Sequence, residues 1–363
     1  MKHRRTRITD VAKAAGVSSS AVSFAFNHPE RLSGDTVKSI LKVADELGYS
    51  PRPNSRANLS QGRGVFGLLT PHSINTAYAN PYYTHLLEGL ASCLEPEGYS
   101  ILLISAENHS LYRAFPQIEG LFAVSIDEKS PELRPFRKRG LPIIIIDGKA
   151  SSASSITFND ELGAWQAAYF LLGLGHRKVL CMVPYSKRDA PNGSTSETVQ
   201  ARVEGYKRGF VDRDLPWPGV PLATLPCAPD AARTFLQYWM ATAPDKRPTG
   251  VLAASDAIAF GVMLAAEQIG LKIPHDLSIV GFDDVPAAAL AGLTTINHGT
   301  LQKGLEAGQI MLQQMDGEFS SSQRIMPAEL VLRRSADLPA RGSHPLSVSN
   351  SIRAQYYCSL VLP

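Results

Sequence analysis

The chain has 363 residues, 44% of them hydrophobic, with 36 Lys/Arg against 33 Asp/Glu and a formal net charge of +3. That length holds two or three domains with cores of their own, and the sequence has no run of about eighteen apolar residues, which excludes a helical membrane span. The N-terminus "MKHRRTRITD" is basic without an apolar stretch behind it, and the cysteines (Cys93, Cys181, Cys227, Cys358) are scattered with no C-x-x-C pair. A secretory signal, a zinc site and a disulfide framework are therefore not expected; a cytoplasmic protein with reduced thiols is.

Charge is unevenly placed. Residues 1–64 carry 11 Lys/Arg against 5 Asp/Glu, a balance of +6, and the remainder carries 25 against 28, a balance of −3. A basic head on a mildly acidic body fits a polyanion partner for the head alone.

In chain order, Thr9 is placed to cap a helix through Asp10–Ala15, and Asp10 suits its first turn. Gly16 ends that helix, since the turn wants a residue tolerant of positive φ, and Val17 plugs the turn. Ser18 caps a second helix running to about Asn27. Ser33 caps a third, "GDTVKSILKVADELG". The expected apolar set is Val11, Ala14, Val17, Val22 and Phe26, with Val37, Ile40, Leu41, Ala44 and Leu47 turned inward from the third helix. Short helices joined in this way form a helix-turn-helix, whose second helix lies in the DNA major groove.

The chain changes character near Gly62-Arg63-Gly64. Beyond it, short apolar runs recur: "VFGLLT", "SILLIS", "GLFAVSI", "PIIIID", "SITF", "KVLCMV", "GVLAAS" and "LSIVGF". Continuous hydrophobicity marks strands buried on both faces, as in parallel sheets. Segments such as "YYTHLLEGLASCLEPEG" and "AIAFGVMLAAEQIG" carry helical spacing and stop at Gly. Alternation over roughly 270 residues suits two doubly wound lobes with a cleft between them. "SSASS" and "PNGSTSE" read as loops, and the segment from about Arg341 has weak pattern and no heptads.

The stretches "ITDVAKAAGVSSSAVSFAFN" and "LSGDTVKSILKVADELGYSP" resemble the DNA-binding head of the LacI/GalR family of bacterial transcription regulators. "GLGHRKVLCMV", "ARVEGYKRGF", "ASDAIAFG", "DLSIVGFDDVP", "LTTI" and "PAELVLRRS" then follow in the family's order, to about Leu338. The resemblance implies an all-α helix-turn-helix head (1–50), a hinge helix or linker (51–64) and an α/β periplasmic-binding-protein-like body of two doubly wound lobes (65–340). The first lobe would span about 65–160 and 293–321, the second 161–292 and 322–338, with 341–363 as an extension.

By the same resemblance, Ser19 and Ser20 fall at the family's main base-reading positions, flanked by Ser18, Ala21 and Ser23. A serine hydroxyl both donates and accepts, so it discriminates bases poorly by itself. Phe24 departs from the pattern, standing where many members carry an arginine; it either touches a thymine methyl or packs inward. Asn27 closes the recognition helix. Arg7, with Lys2, Arg4, Arg5, Lys13, Lys38 and Lys42, is available for phosphate contact, and Thr9 lies beside them. In the hinge, Leu59 is the large apolar residue expected to wedge into a base step, with Arg56 beside it; the alternative is that Leu59 packs between head and body.

For the body, the resemblance points to a small-molecule effector in the cleft. Its expected ligands are His72, Asn80, Tyr82, Tyr83, Asp147, Asp160, Arg202, Ser255, Asp256, Asp283 and His298. Carboxylates, an arginine and aromatics suit a polyhydroxylated ligand, a sugar. Other roles stay open: Asp256 and Asp284 fit helix caps, Tyr82 or Tyr83 fits the core, and His298 fits a bridge between lobes. Gly148, where the family often has Arg, and the order Asn159-Asp160 depart from the pattern.

The expected function is a dimeric repressor on a pseudo-palindromic double-stranded operator; the resemblance implies a dimer interface on helix 80–97 and region 101–126, in the lobe to which the "LTTI" crossover and "GLEAGQIMLQQM" also belong. The alternative is a carbohydrate-binding module with a vestigial head. An enzyme is not expected: G-x-S-x-G, G-x-x-x-x-G-K-[ST], metal-ligand spacing and G-x-G-x-x-G after a strand are all missing from the sequence. No cofactor, metal or catalytic residue is assigned.

Overall fold

The structure, a computed structural model, describes residues 8–27, 29–47, 49, 64–107, 118–184, 197–217, 222–225, 230–317 and 321–340. Arg7, Arg56, Leu59, nearly all of the expected hinge and the 341–363 extension lie outside them.

The head is three helices: α1 (Ile8–Ala15), α2 (Ser19–Asn27) and α3 (Gly34–Glu46). Gly16 takes φ +66°, which opens the turn between α1 and α2. Ser18 Oγ accepts the Ala21 N–H at 3.1 Å and Ser33 Oγ accepts the Thr36 N–H at 3.3 Å, so both serines cap the helices that follow them. Val11, Ala12, Val22, Ala25, Ile40 and Ala44 form the core, with Val17 packed at its edge. So small a core leaves a unit of about 40 residues only marginally stable by itself.

Four expectations for the head change. Thr9 lies inside α1 rather than capping it. Ala14 is exposed, because the buried stripe of α1 follows positions 8, 11, 12 and 15. Leu41 and Leu47 are each 40% exposed. Leu41 stands about 100° around the helix from Ile40, and Leu47 falls just past the last turn of α3.

The body runs β1 (Gly64–Thr70), α4 (Ile74–Tyr78), α5 (Pro81–Leu94), β2 (Tyr99–Ser105), β3 (Ile118–Val124), α6 (Arg134–Lys138), β4 (Ile143–Ile146), β5 (Ser154–Phe158), α7 (Asp160–Gly173), β6 (Val179–Pro184), α8 (Glu197–Val211), β7 (Leu222–Leu225), α9 (Ala231–Ala241), β8 (Gly250–Ala253), α10 (Asp256–Gln268), β9 (Ser278–Val280), α11 (Pro286–Ala291), β10 (Thr295–Asn297), α12 (Thr300–Met315), β11 (Gln323–Met326) and β12 (Glu329–Val331). "SSASS", expected to be a loop, already enters β5 at Ser154.

Two parallel sheets result. The first has order β11-β5-β4-β3-β1-β2, the second β7-β6-β8-β9. Each is covered on both faces, which is why its strands read as continuous apolar runs. In the first lobe α5 and α12 lie over one face around Phe66, Leu86 and Met311, and Leu133, Phe136 and Ile145 fill the other. In the second lobe α7 and α8 cover one face around Phe210 and Phe282, and α9 and α10 the other around Phe235 and Val262.

The chain crosses between lobes after β5, again at β10, and finally between β11 and β12. The last two crossings pair antiparallel, Ile296 opposite Leu330. Strand β11 pairs with β5 in the first lobe's sheet, Gln323 opposite Ser155. The 322–338 stretch expected in the second lobe therefore begins with a strand of the first. The lack of an apolar run hid that: β11 is an edge strand whose Gln323, Arg324 and Ile325 are all exposed, Ile325 at 74%.

Candidate functional site

In doubly wound sheets ligands sit beyond the carboxyl ends of strands, and the chain is bent there in an unusual way. Ser125 after β3, Asp147 after β4, and Asp283 and Asp284 after β9 are non-glycine residues at positive φ, +53°, +51°, +119° and +52°. Such conformations cost on the order of 1–3 kcal/mol each and persist where the surroundings fix them. Asp283 is fixed by its N–H to the Ile296 carbonyl, 2.9 Å, on the crossover strand β10.

Five charged side chains converge at these strand ends. Arg202, on α8, donates Nε to Asp160 Oδ1 at 2.8 Å, places Nη1 3.7 Å from Asp283 Oδ1 and bonds the Ala254 carbonyl. Its guanidinium lies 3.8 Å from the Phe282 ring centre. Asp147 accepts the Tyr82 hydroxyl at 2.5 Å and Lys303 Nζ at 2.6 and 2.9 Å. His298, in the crossover, sets Nε2 3.1 Å from Asp283 Oδ1 and stacks on Tyr82, ring centres 5.9 Å apart. These charged and imidazole side chains are only 1–12% exposed.

Burial decides the electrostatics. It pushes Asp283 up to about 7, although Arg202 and Lys303 pull the other way. It also raises Asp160, against the pull of Arg202. Burial, then the charges of Lys303 and Arg202, hold His298 well below its ordinary value, so the imidazole is neutral. Its Nε2 is then the donor toward the Asp283 carboxylate, and Nδ1 is buried with no hydrogen-bond partner. For Arg202, burial disfavours the charge, but Asp160 and Asp283 outweigh it and its pKa is raised.

Of the residues expected to touch an effector, Tyr82, Asp147, Asp160, Arg202, Asp283 and His298 come together here. The others do something else in this structure. Asn80 Oδ1 accepts the Tyr82 N–H and caps α5; Ser255 Oγ accepts the Ile258 N–H and caps α10. Asp256 is fully buried, its two oxygens taken by the Thr295 hydroxyl and the Val285 N–H, so it braces α10 against the crossover. Tyr83 belongs to the first lobe's core. His72 is on the turn after β1, where its carbonyl accepts the Thr70 hydroxyl. Asp284 pairs with Arg333 at 2.7 Å and accepts Asn297 Nδ2 at 3.0 Å.

Lys303 was not anticipated. A signal exists: Lys303, Ala307 and Met311 share the buried stripe of α12, and a lysine on such a stripe is rarely buried without a partner. Phe158 and Phe282, which wall the cluster beside His298 at 4.9 and 5.7 Å, read in the sequence as ordinary strand ends.

On the head, Ser20 is exposed and Ser19, Ala21, Ser23 and Phe24 are half-buried along α2. Phe24 is not part of the head's core, and the Arg31 guanidinium covers its ring at 5.3 Å. Among the described residues no helix is long and apolar enough to cross a membrane.

Residues 7–52 match the family model of bacterial regulatory proteins of the lacI family, and residues 168–336 match that of a periplasmic binding protein-like domain. The HTH-type transcriptional repressor PurR of Vibrio campbellii is 28% identical over 344 residues, covering 90% of this chain and 97% of that protein. The fold is similar to that of a LacI family transcriptional regulator from Enterococcus faecium with bound ribose, TM-score 0.65 at 24% identity over 76% of this chain and 99% of that one. It is also similar to the regulator CelR in complex with cellobiose, TM-score 0.64 at 19% identity over 92% and 100%. Such relatives are transcriptional regulators rather than enzymes. With a helix-turn-helix head and a two-lobed binding-protein body matched in sequence order, the chain belongs to the LacI family and is a DNA-binding transcription regulator.

Proposed function

We propose that the protein is a cytoplasmic repressor that binds a pseudo-palindromic operator as a homodimer and is controlled by a sugar held at the Arg202–Asp283 cluster. The observation that carries this reading is the convergence of Arg202 and Asp283 from the second lobe on Tyr82, Asp147 and Lys303 from the first. Carboxylates and a guanidinium bond hydroxyls in pairs, and the Tyr82 and Phe282 rings offer apolar faces to a sugar ring. The printed ligands of the similar structures, ribose and cellobiose, belong to the same chemical class.

Apart from His298 Nδ1, the cluster's groups now satisfy one another and are nearly buried, so a ligand enters by parting the lobes and replaces these pairs with bonds of its own. Because three crossings tie the lobes together, that motion reaches the head through the segment before β1. By linkage, operator DNA then changes effector affinity by the factor by which effector changes operator affinity.

The test has two arms. A thermal-shift screen of sugars selects the effector, and Arg202→Lys must weaken it. Gel-shift titration on duplexes selected from a random pool, at two salt concentrations and with and without that sugar, must show sequence preference, a negative salt slope and a sugar response. Sugar binding with no sequence-dependent DNA binding would leave a carbohydrate-binding module with a vestigial head.

A further inference from the structure

A cavity of about 390 Å³ lies at the start of α12, walled by the β9–α11 turn on one side and by Thr300, Leu301 and Gln302 on the other. It shares Asp283 with the charged cluster, but its remaining lining residues lie outside that cluster.

The two walls differ in what they leave unused. On the β9–α11 side the carboxylates are balanced: Asp284 Oδ1 makes no hydrogen bond but is ion-paired with Arg333 at 2.7 Å, Asn297 Nδ2 donates to Asp284 Oδ2 at 3.0 Å, and Asp283 faces His298 Nε2 at 3.1 Å. On the α12 side the donors have no counterpart. The helix is preceded by Gly299, which offers no side-chain cap, and its first turn contains no acidic residue. The intrahelical ladder begins with Lys303 N–H to the Gly299 carbonyl. The N–H groups of Thr300, Leu301 and Gln302 precede that bond and have no intrahelical acceptor.

A second observation points the same way. Thr300 is 2% exposed, and its Oγ1 has no hydrogen-bond partner although it lines the cavity. Buried hydroxyls left unpaired are uncommon and costly. Unused donors at the positive end of a sixteen-residue helix, beside an arginine, complement a ligand that only accepts.

We propose that this cavity is a second ligand site, taking the phosphate or carboxylate group of a small anion on the α12 N-terminus, with Thr300 Oγ1 as a donor. The same turn carries Lys303 of the cluster, so the two sites share one helix end.

The full-length protein is titrated with inorganic phosphate, and separately with acetate, at constant ionic strength, with thermal midpoint as readout. A saturable rise with either anion is expected, and the anion that gives it identifies the group recognised. Thr300→Val, which keeps shape and removes the hydroxyl, is expected to fold at least as stably without anion and to weaken the response about tenfold, the loss for one hydrogen bond to a charged group. Gln302→Glu, which brings a carboxylate to the exposed third position, is expected to abolish it. Arg202→Lys, in the cluster, is expected to leave it in place. The proposal is overturned if neither anion gives a saturable shift, or if the shift survives both α12 substitutions, as it would if the anion sat on the basic head or in the cluster.

Discussion

Lys303 and Asp147 stand 156 residues apart in the chain, yet Lys303 Nζ lies 2.6 and 2.9 Å from the two Asp147 oxygens, with both side chains nearly buried. The pair ties α12 to the end of β4, and the Tyr82 hydroxyl completes the carboxylate's bonding. Breaking a buried pair from one side strands a charge. Lys303→Met is therefore expected to cost about 3 kcal/mol in urea denaturation. Pairing it with Asp147→Asn should recover part of that loss. Equal midpoints for Lys303→Met and the parent would show that the pair does not hold this end of the sheet.

Helix α8 brings Arg202 to Asp160 only because α7 and α8 approach closely. A Cβ on Gly205 would strike the Glu161 carbonyl and come within 2.8 Å of the Ala164 Cβ. Gly205 lies one turn beyond Arg202, so the contact sets the distance over which the 2.8 Å Arg202–Asp160 bond forms. Gly205→Ala is expected to destabilise by about 1–3 kcal/mol through overpacking and to weaken effector binding together with stability. Calorimetric titration with the sugar selected above, alongside denaturation, checks both. A variant with intact effector affinity would mean that Arg202 tolerates the wider spacing.

Much of this was legible in the sequence, for identifiable reasons. The runs that became β1, β3, β4, β6 and β8 are almost wholly apolar, Glu119 near the start of β3 being the one charged residue, because both faces are covered, and burial leaves that mark on composition. The edge strands β2 and β9 carry the mark too, but the edge strands β7 and β11 and the short crossover strands do not. β11, with Gln323 and Arg324 exposed, β7, and β12 were not read as strands, and β10 was read only as the "LTTI" crossover. The site was half legible. Arg202 and Asp283 stand out beside short motifs, but the sequence does not say where a carboxylate's lone pairs go. Asp256 and Asp283 look alike in sequence, and only the Thr295 and Val285 donors show that Asp256 is spoken for inside the fold. Lys303 was missed because a lysine in a helix defaults to solvent, and its partner is remote in the chain.

The cluster also makes stability depend on pH in a defined direction. Burial pushes Asp283 up to about 7, against an unfolded value of about 4. Between those values the folded chain holds a proton that the unfolded chain has lost. By linkage, this residue's contribution to stability therefore falls as pH rises from about 4 to about 7, and is flat outside that window. The raised Asp160 acts with the same sign. His298, held low, acts oppositely below about 6.5, since only the unfolded chain then gains its proton. Comparison with Asp283→Asn isolates the first effect. The variant, neutral throughout, should gain on the parent as pH rises across the window in urea denaturation. A constant difference from about pH 5 to about pH 7 would place the Asp283 pKa outside that range.

On the head, Phe24 stands where an arginine is common in the family, and Arg31 folds its guanidinium over the Phe24 ring. The ring is half-buried but lies outside the core made by Val11, Val22 and Ile40. It is not among the residues of that core, and on the reading that α2 is the recognition helix it is placed to meet DNA while holding Arg31. A cation over an exposed aromatic contributes about 0.5–1 kcal/mol, so Phe24→Ala should cost the head little stability while releasing Arg31. If Ser19 and Ser20 face the bases, as proposed from the resemblance, their hydroxyls discriminate weakly, and that reading leaves much of the specificity to Phe24 and Arg31 and to DNA deformability. Phe24→Arg is then expected to change the preferred base at one position of each half-site, and Phe24→Ala to relax it. Operators selected in parallel from one random pool by the parent and both variants check this. Identical selected sequences from all three would reduce Phe24 to a support for Arg31 and move the specificity elsewhere in the complex.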